Sequence, residues 1–223
     1  MINLFKKTPQ RIRVLGGPFR GALVYMSPSN AKRKVIGVYE HVLNKWIAKV
    51  APEKEFIFDV GANNGYDTYG LAYLSSHANT RSISVVSFEP GADQFPELLV
   101  PQCWKEYSNC KFEIIAKFVG AQTVGETVAL DHIFEDRPAL RGKKGLVKID
   151  VEGHECEVLK GAERLLAMPE HDWLVEIHGK ERILPVAEFF AKAGRPYLIK
   201  ELTALPFFGK ECREIETFWL VTI

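Results

Sequence analysis

The sequence predicts a doubly wound α/β fold, a parallel sheet with helices on both faces, and three observations carry that expectation. Strand-like apolar runs alternate with helix-period segments from residue 56 onward. The first run ends in a glycine-bearing loop, Asp59-Val60-Gly61-Ala62-Asn63-Asn64-Gly65. Ionisable residues gather at later strand ends, where open α/β sheets bind their ligands.

The chain has 223 residues and 47% hydrophobic content, enough for one substantial core. A main domain over 53–223 is expected, preceded by an accessory hairpin and helix over 1–52. Lys+Arg of 29 against Asp+Glu of 28 leave a net charge of +1. No whole-molecule field then steers nucleic acid or an anionic membrane, and a small or neutral target is expected. Cys103, Cys110, Cys156 and Cys212 share no CxxC spacing, which predicts reduced thiols and a cytoplasmic setting. Residues 1–7 lack the apolar run of a signal peptide, and no stretch approaches the ~20 apolar residues that span a bilayer, so a soluble protein is expected. Nothing in the sequence speaks to oligomeric state.

Taken in order, residues 11–26 are β-rich with Gly16-Gly17-Pro18 and Arg20-Gly21 punctuation, which predicts a short hairpin. Val38, Val42, Leu43, Trp46, Ile47 and Val50 fall at helical spacing and Pro52 stops the run, so one helix over 35–50 is expected, with Trp46 in the core. A strand over 56–60, a helix over about 66–76, a strand over 83–88, a helix over about 92–100 and a strand over 112–116 follow. The tract 117–131 contains Gly120, Gly125 and a β-like run at 127–130, then a short helix capped by Asp131. Residues 146–150 form the fourth strand, and the next helix places Leu159, Ala162, Leu165 and Leu166 on one face. A fifth strand over 173–177 and a helix over 183–193 ended by Gly194 lead to two strands, 197–201 and 217–223, read as a closing hairpin.

Function is sought at the strand ends. Gly61 and Gly65 permit positive φ and let a ligand lie against bare backbone. Their GxxxG spacing differs from the GxGxxG of a dinucleotide site, which weakens a nicotinamide reading. S-adenosylmethionine has no phosphate but carries a sulfonium and an ammonium, so Asp59 suits it electrostatically, and Asn63 lies in the same loop. Ser87-Phe88-Glu89-Pro90 places a carboxylate one βαβ unit later, where an acid accepts both hydrogen bonds of a ribose diol, although a helix N-terminal acid reads the same way. Lys148-Ile149-Asp150-Val151-Glu152-Gly153-His154-Glu155 puts Lys148 and Asp150 on one side of the fourth strand. Glu176-Ile177-His178 adds two ionisable groups on one side of the fifth.

These motifs, with Leu130-Asp131, Val158-Leu159-Lys160-Gly161-Ala162 and Val175-Glu176-Ile177-His178, resemble in order those of the FkbM-type methyltransferases across about 56–180. The run Lys148 to Glu155 with Val158 to Ala162 is the specific part. The tract 92–130 is shorter than the family's, and residues 64–68 match its loop only approximately. The resemblance implies a Rossmann-like class I methyltransferase fold, seven strands with the last antiparallel, and S-adenosylmethionine as cofactor. It also implies O-methylation of a sugar, polyketide or related metabolite.

In-line methyl transfer requires that the acceptor hydroxyl be aligned and lose its proton. Asp150 is the leading general base, with Glu152 and His178 as alternatives. Lys148 would orient a carboxylate, or pair with Glu152 to fix the loop. Asp150, Glu152, Glu176 and His178 would also suit Mg²⁺ or Mn²⁺. Tyr39 would stack on or hydrogen-bond the cofactor and Glu40 would meet its ammonium. Lys32-Arg33-Lys34 and Arg141-Gly142-Lys143-Lys144 are basic loops that could receive an anionic acceptor. Two rivals stand beside this reading: a nicotinamide-dependent oxidoreductase on the same sheet, and a cofactor-binding module without catalysis. The chain shows no basic stripe or Asn/Asp-Pro-Pro-Tyr-like loop, so a nucleic-acid partner is not expected.

Overall fold

The computed structural model describes residues 7–29, 31–78, 82–92, 95–211 and 213–223. Residues 1–6, on which the absence of a leader was partly read, lie outside them, as do positions 93–94 and Cys212.

The chain opens with β1 (Gln10–Arg13) and β2 (Leu23–Met26), which pair antiparallel as the expected hairpin. Next come α1 (Lys32–Ile36) and α2 (Asn44–Val50), then β3 (Phe56–Val60), α3 (Tyr66–Ala78), β4 (Ile83–Phe88), α4 (Pro96–Leu99) and β5 (Cys110–Ile115). Two short strands, β6 (Phe118–Val119) and β7 (Thr127–Val128), precede α5 (Leu130–Glu135) and β8 (Gly145–Ile149). The chain ends with α6 (Glu155–Lys160), α7 (Glu163–Leu166), β9 (Asp172–His178), α8 (Ile183–Lys192), β10 (Tyr197–Glu201) and β11 (Thr217–Thr222).

Seven strands form one sheet in the order β10-β11-β9-β8-β3-β4-β5. Only β11 runs against its neighbours, so the doubly wound sheet has the antiparallel last strand that the resemblance implied. β3 and β8 are buried along their whole length, as central parallel strands must be. Alternation along β3 sends Ile57 to one layer of core and Phe56, Phe58 and Val60 to the other. The accessory segment shares the first layer: Val24, Val35, Leu43 and Trp46 pack in the cluster that holds Ile57 and Tyr69. Trp46 also donates through Nε1 to the Thr222 carbonyl at 2.7 Å, pinning α2 to β11.

Four local expectations are corrected. The single helix over 35–50 is broken into α1, a 3₁₀ turn at His41–Leu43 and α2. Gly37 is left-handed at φ 77° and a Cβ there would lie 2.0 Å from the Gly16 carbonyl carbon, so the hairpin turn itself ends α1. The helix after β8 is likewise split, because a Cβ on Gly161 would stand 2.0 Å from the Gly120 oxygen. Of the helix expected over 92–100, positions 93–94 lie outside the described residues, and from Phe95 on the structure has only α4, which starts on Pro96 and gives way to a 3₁₀ turn at Pro101.

Asp131 caps a different helix from the one expected. α5 starts at Leu130, and the Asp131 carboxylate accepts the amides of Arg164 at 3.0 Å and Leu165 at 2.8 Å in the first turn of α7. Asp131→Ala is expected to cost about 1 kcal/mol and lower Tm by roughly 2–4 °C, read by thermal denaturation. An unchanged Tm would mean that water satisfies those amides equally well.

Candidate active site

The carboxyl ends of β3, β4 and β8 meet at one crevice. Gly61 follows β3 at φ 75°, and a Cβ there would lie 1.7 Å from the Asp150 carbonyl oxygen. A Cβ on Gly65 would meet the Tyr69 ring at 2.9 Å and Leu98 at 3.1 Å. Both glycines are therefore demanded by backbone and ring packing behind the loop. The loop is fastened from the next strand: Asn63, left-handed at φ 46°, donates its amide to Glu89 Oε2 at 2.9 Å, and Gly91 donates to Oε1 at 3.2 Å.

A cavity of about 590 Å³ opens over this junction. Of the sequence-predicted residues, Gly61, Asn63, Glu89, Pro90, Asp150 and Glu152 line it. Lys117, Phe118 and Val119 at β6, with Phe95, supply walls that sequence reasoning missed. The sequence signal for Lys117, Phe118 and Val119 is the irregular tract after β5, whereas Phe95, ahead of α4, carries none.

Asp59, Gly65, Lys148, His178, Tyr39 and Glu40 do not line the cavity. Asp59 is fully buried, with Oδ2 accepting the Thr68 hydroxyl at 2.5 Å and Oδ1 lying 3.2 Å from Lys148 Nζ. Lys148 donates to the Gly61 carbonyl at 3.0 Å and stands 3.6 Å from Asp150 Oδ2, so it ties the β3 and β8 tips together. Burial opposes its positive charge, but Asp59, Asp150, Asp67 and Glu176 outweigh that and hold its pKa well above the usual lysine value. Asp67, in the first turn of α3, is pushed up to about 7, chiefly by burial.

The other oxygen of Asp150, Oδ1, faces His178 Nε2 at 3.6 Å. His178 is fixed from behind: Nδ1 lies 2.8 Å from Glu155 Oε1, which also takes the amides of Gly153 at 3.0 Å and His178 at 3.3 Å. Burial raises the Glu155 pKa, yet these hydrogen bonds bring it below the usual carboxylate value, so Glu155 is a buried anion that orients the ring. Glu152 enters the turn ahead of α6 at φ 47° and is exposed. Glu155 stood in the quoted motif with no role assigned to it; its burial and partners supply one.

Beyond His178, Glu176 Oε1 lies 3.8 Å from Nε2. Asp150, Glu176 and His178 each offer a ligand atom within 4.8 Å of the others. Glu176 is also paired with Arg213, which reaches Glu40 Oε1 at 2.6 Å and Glu211 Oε1 at 3.0 Å. Burial, with Glu40 and Asp150 nearby, drives the Glu176 pKa well above the usual carboxylate value. Tyr39 stands beside this group with its ring 5.5 Å from the Arg213 guanidinium, and burial raises its hydroxyl pKa.

A seven-stranded sheet in this order, with β11 reversed and a crevice at the tips of β3, β4 and β8, defines a class I S-adenosylmethionine-dependent methyltransferase fold. Residues 111–197 match the Methyltransferase FkbM domain. The match spans Asp150, Glu155, Glu176 and His178 and stops short of the β3 loop and Glu89. Methyltransferase FkbM from Methylobacillus flagellatus KT has a similar fold, with a TM-score of 0.51 and 17% identity over 77% of this chain and 44% of that one. The chain thus spans less than half the length of that structure. Fibrillarin from Aeropyrum pernix, solved with natively bound S-adenosyl-L-methionine, gives a TM-score of 0.49 at 15% identity over 82% of this chain and 72% of its own. Precorrin-6y C5,15-methyltransferase from Geobacter metallireducens GS-15 gives 0.48 at 11% identity over 80% and 88%. No curated protein matches the chain. Among the described residues no helix is long and apolar enough to cross a membrane.

Proposed function

We propose that this protein transfers a methyl group from S-adenosylmethionine to a hydroxyl oxygen of a sugar, glycan or related metabolite. The observation that carries the reading is Asp150, which lines the same cavity as Glu89 and is flanked by Lys148 on one oxygen and His178 on the other. A cavity of about 590 Å³ has the size of a small-molecule site, and it is lined by the acid Glu89, whose carboxylate is held by the Asn63 and Gly91 amides, so the residues fit the cofactor. Glu89 would hold the ribose diol, Gly61 and Asn63 would supply backbone beside it, and Pro90 and Phe118 would flank the base. When bound, the cofactor supplies an electrophilic methyl on a cationic sulfur.

The chain's own part is to place the acceptor and take its proton. Asp150 accepts the hydroxyl proton as the oxygen is methylated, with Glu152 as the alternative base on the same wall. Lys148 fixes the direction of the Asp150 carboxylate, and Glu155 fixes the His178 ring that faces it. Tyr39 would stack on or hydrogen-bond the cofactor and Glu40 would meet its ammonium, from their places beside Arg213 outside the lining of the cavity. A divalent ion is the second reading, favoured by the convergence of Asp150, Glu176 and His178. A reducing, cytoplasmic setting is part of the proposal, supported by the free thiols Cys103, Cys110 and Cys156.

Calorimetric titration with S-adenosylhomocysteine, then transfer of labelled methyl to sugars and nucleotide sugars with and without Mg²⁺ or Mn²⁺, tests the reading. Binding of NAD with indifference to S-adenosylhomocysteine would move the protein to the oxidoreductase class; cofactor binding without transfer would leave a binding module. Glu89→Ala is expected to weaken S-adenosylhomocysteine roughly 10- to 100-fold, the loss of a charge-assisted hydrogen-bonded pair. An unchanged affinity would remove Glu89 from the ribose.

A further inference from the structure

We propose that Arg213 is the residue that recognises the acceptor, gripping the ring that carries the reacting hydroxyl while Asp150 takes its proton. This rests on the methyl-transfer reading above and adds to it the residue that decides which acceptor is taken.

The position is the first argument. From the cavity wall the chain of contacts runs Asp150 to His178 at 3.6 Å, His178 to Glu176 at 3.8 Å, and Glu176 to the Arg213 guanidinium. Arg213 lies outside the lining of the cavity, so the proposal requires an acceptor that reaches past Asp150 along this chain of contacts. The second argument is unused bonding capacity. Arg213 directs Nη1 to Glu176 and Nη2 to Glu40 and Glu211, while its Nε is buried and has no hydrogen-bond partner among the described residues, so it becomes available only when the cluster opens for an acceptor. A guanidinium carries five N–H donors in a planar fork, and the carboxylates around it are acceptors. Donors and acceptors thus alternate over a few ångströms, the pattern that a pair of neighbouring hydroxyls satisfies. The guanidinium lies 5.5 Å from the Tyr39 ring and 5.1 Å from the Trp219 ring, so flat apolar faces border the polar group.

The third argument is how Arg213 is delivered. It sits in residues 202–216, between β10 and β11, where the described backbone forms neither helix nor strand apart from a Leu205–Gly209 bridge. That segment is tied to the accessory region by polar contacts: Arg33 to the Phe208 carbonyl at 2.5 Å, the Glu40 amide to Glu211 at 3.3 Å, and His41 to Thr203 at 3.2 Å. Arg213 can therefore exchange Glu40 or Glu211 for an acceptor without disturbing a sheet hydrogen bond.

The experiment compares wild type, Arg213→Ala and Arg213→Lys. S-adenosylhomocysteine binding is measured first by calorimetry, then labelled methyl transfer to methyl α-D-glucopyranoside, methyl α-D-galactopyranoside, methyl α-L-rhamnopyranoside and UDP-glucose. The expected result is cofactor affinity within about twofold of wild type, and an acceptor KM raised about tenfold or more by Arg213→Ala. Arg213→Lys is expected not to restore it, because an ammonium cannot reproduce the fork, whereas millimolar guanidinium chloride added to Arg213→Ala is expected to do so in part. An unchanged acceptor KM, or cofactor affinity falling in step with it and no guanidinium rescue, overturns the proposal. A wild type that binds S-adenosylhomocysteine yet labels none of these acceptors overturns the hydroxyl-acceptor reading and this proposal together. A wild type that labels one, with Arg213→Ala indifferent, overturns this proposal alone.

Discussion

Asp150→Asn is expected to lower turnover roughly 100- to 10,000-fold while S-adenosylhomocysteine affinity stays within about twofold, the signature of losing a proton acceptor rather than a binding contact. The substitution keeps shape and removes charge, so the separation is informative. Lys148 loses one of its acidic neighbours but keeps Asp59 at 3.2 Å and the Gly61 carbonyl at 3.0 Å, which holds the β3 tip in place. His178 keeps Glu155 behind it at 2.8 Å, which holds the ring. Turnover and calorimetry on the same preparation decide the matter. Near-normal turnover sinks Asp150 as base, and if Glu152→Gln then abolishes transfer, the base is Glu152, another acid that lines the cavity.

The comparison of sequence with structure divides along a physical line. β3 and β4 keep the bounds read from the sequence, because each is a buried parallel strand whose apolar run stops where the backbone must turn. The breaks at Gly37 and Gly161 were illegible, since both come from the backbone of residues far along the chain, Gly16 and Gly120. A helical period records which face is apolar and carries no trace of such a collision. The candidate site divides in the same way. Asp150, Glu176 and His178 were expected to converge because strand tips in a parallel sheet must meet, and they do. Arg213 reaches them from an irregular segment with no period and no motif, so nothing local marked it. The glycines show a subtler difference: their positions in the loop were legible, but the reason for them was not. Gly61 leaves room for the Asp150 carbonyl, which is a requirement of two strands closing on each other rather than of a ligand.

Lys148→Met is expected to cost about 3–5 kcal/mol and lower Tm by on the order of 10 °C. Methionine is close to lysine in volume and suits an apolar surround, so packing is nearly conserved and the loss is electrostatic. Asp59 has no exposed surface, and without the ammonium its remaining hydrogen-bond partner among the described residues is the Thr68 hydroxyl at 2.5 Å. Adding Asp59→Asn to Lys148→Met removes the stranded charge and is expected to recover about half or more of the lost stability, because the two positions are one interaction rather than two. Thermal and denaturant unfolding of the four proteins gives the coupling directly; a double variant as unstable as the sum of the singles would make the cost one of packing. The expected coupling also separates structure from chemistry at β8. Lys148 stands between a carboxylate that never meets the cavity and one that lines it, so its charge holds Asp59 in the core and directs Asp150 outward. Stability should recover in the double variant while turnover does not, since neutralising Asp59 returns no positive charge to Asp150.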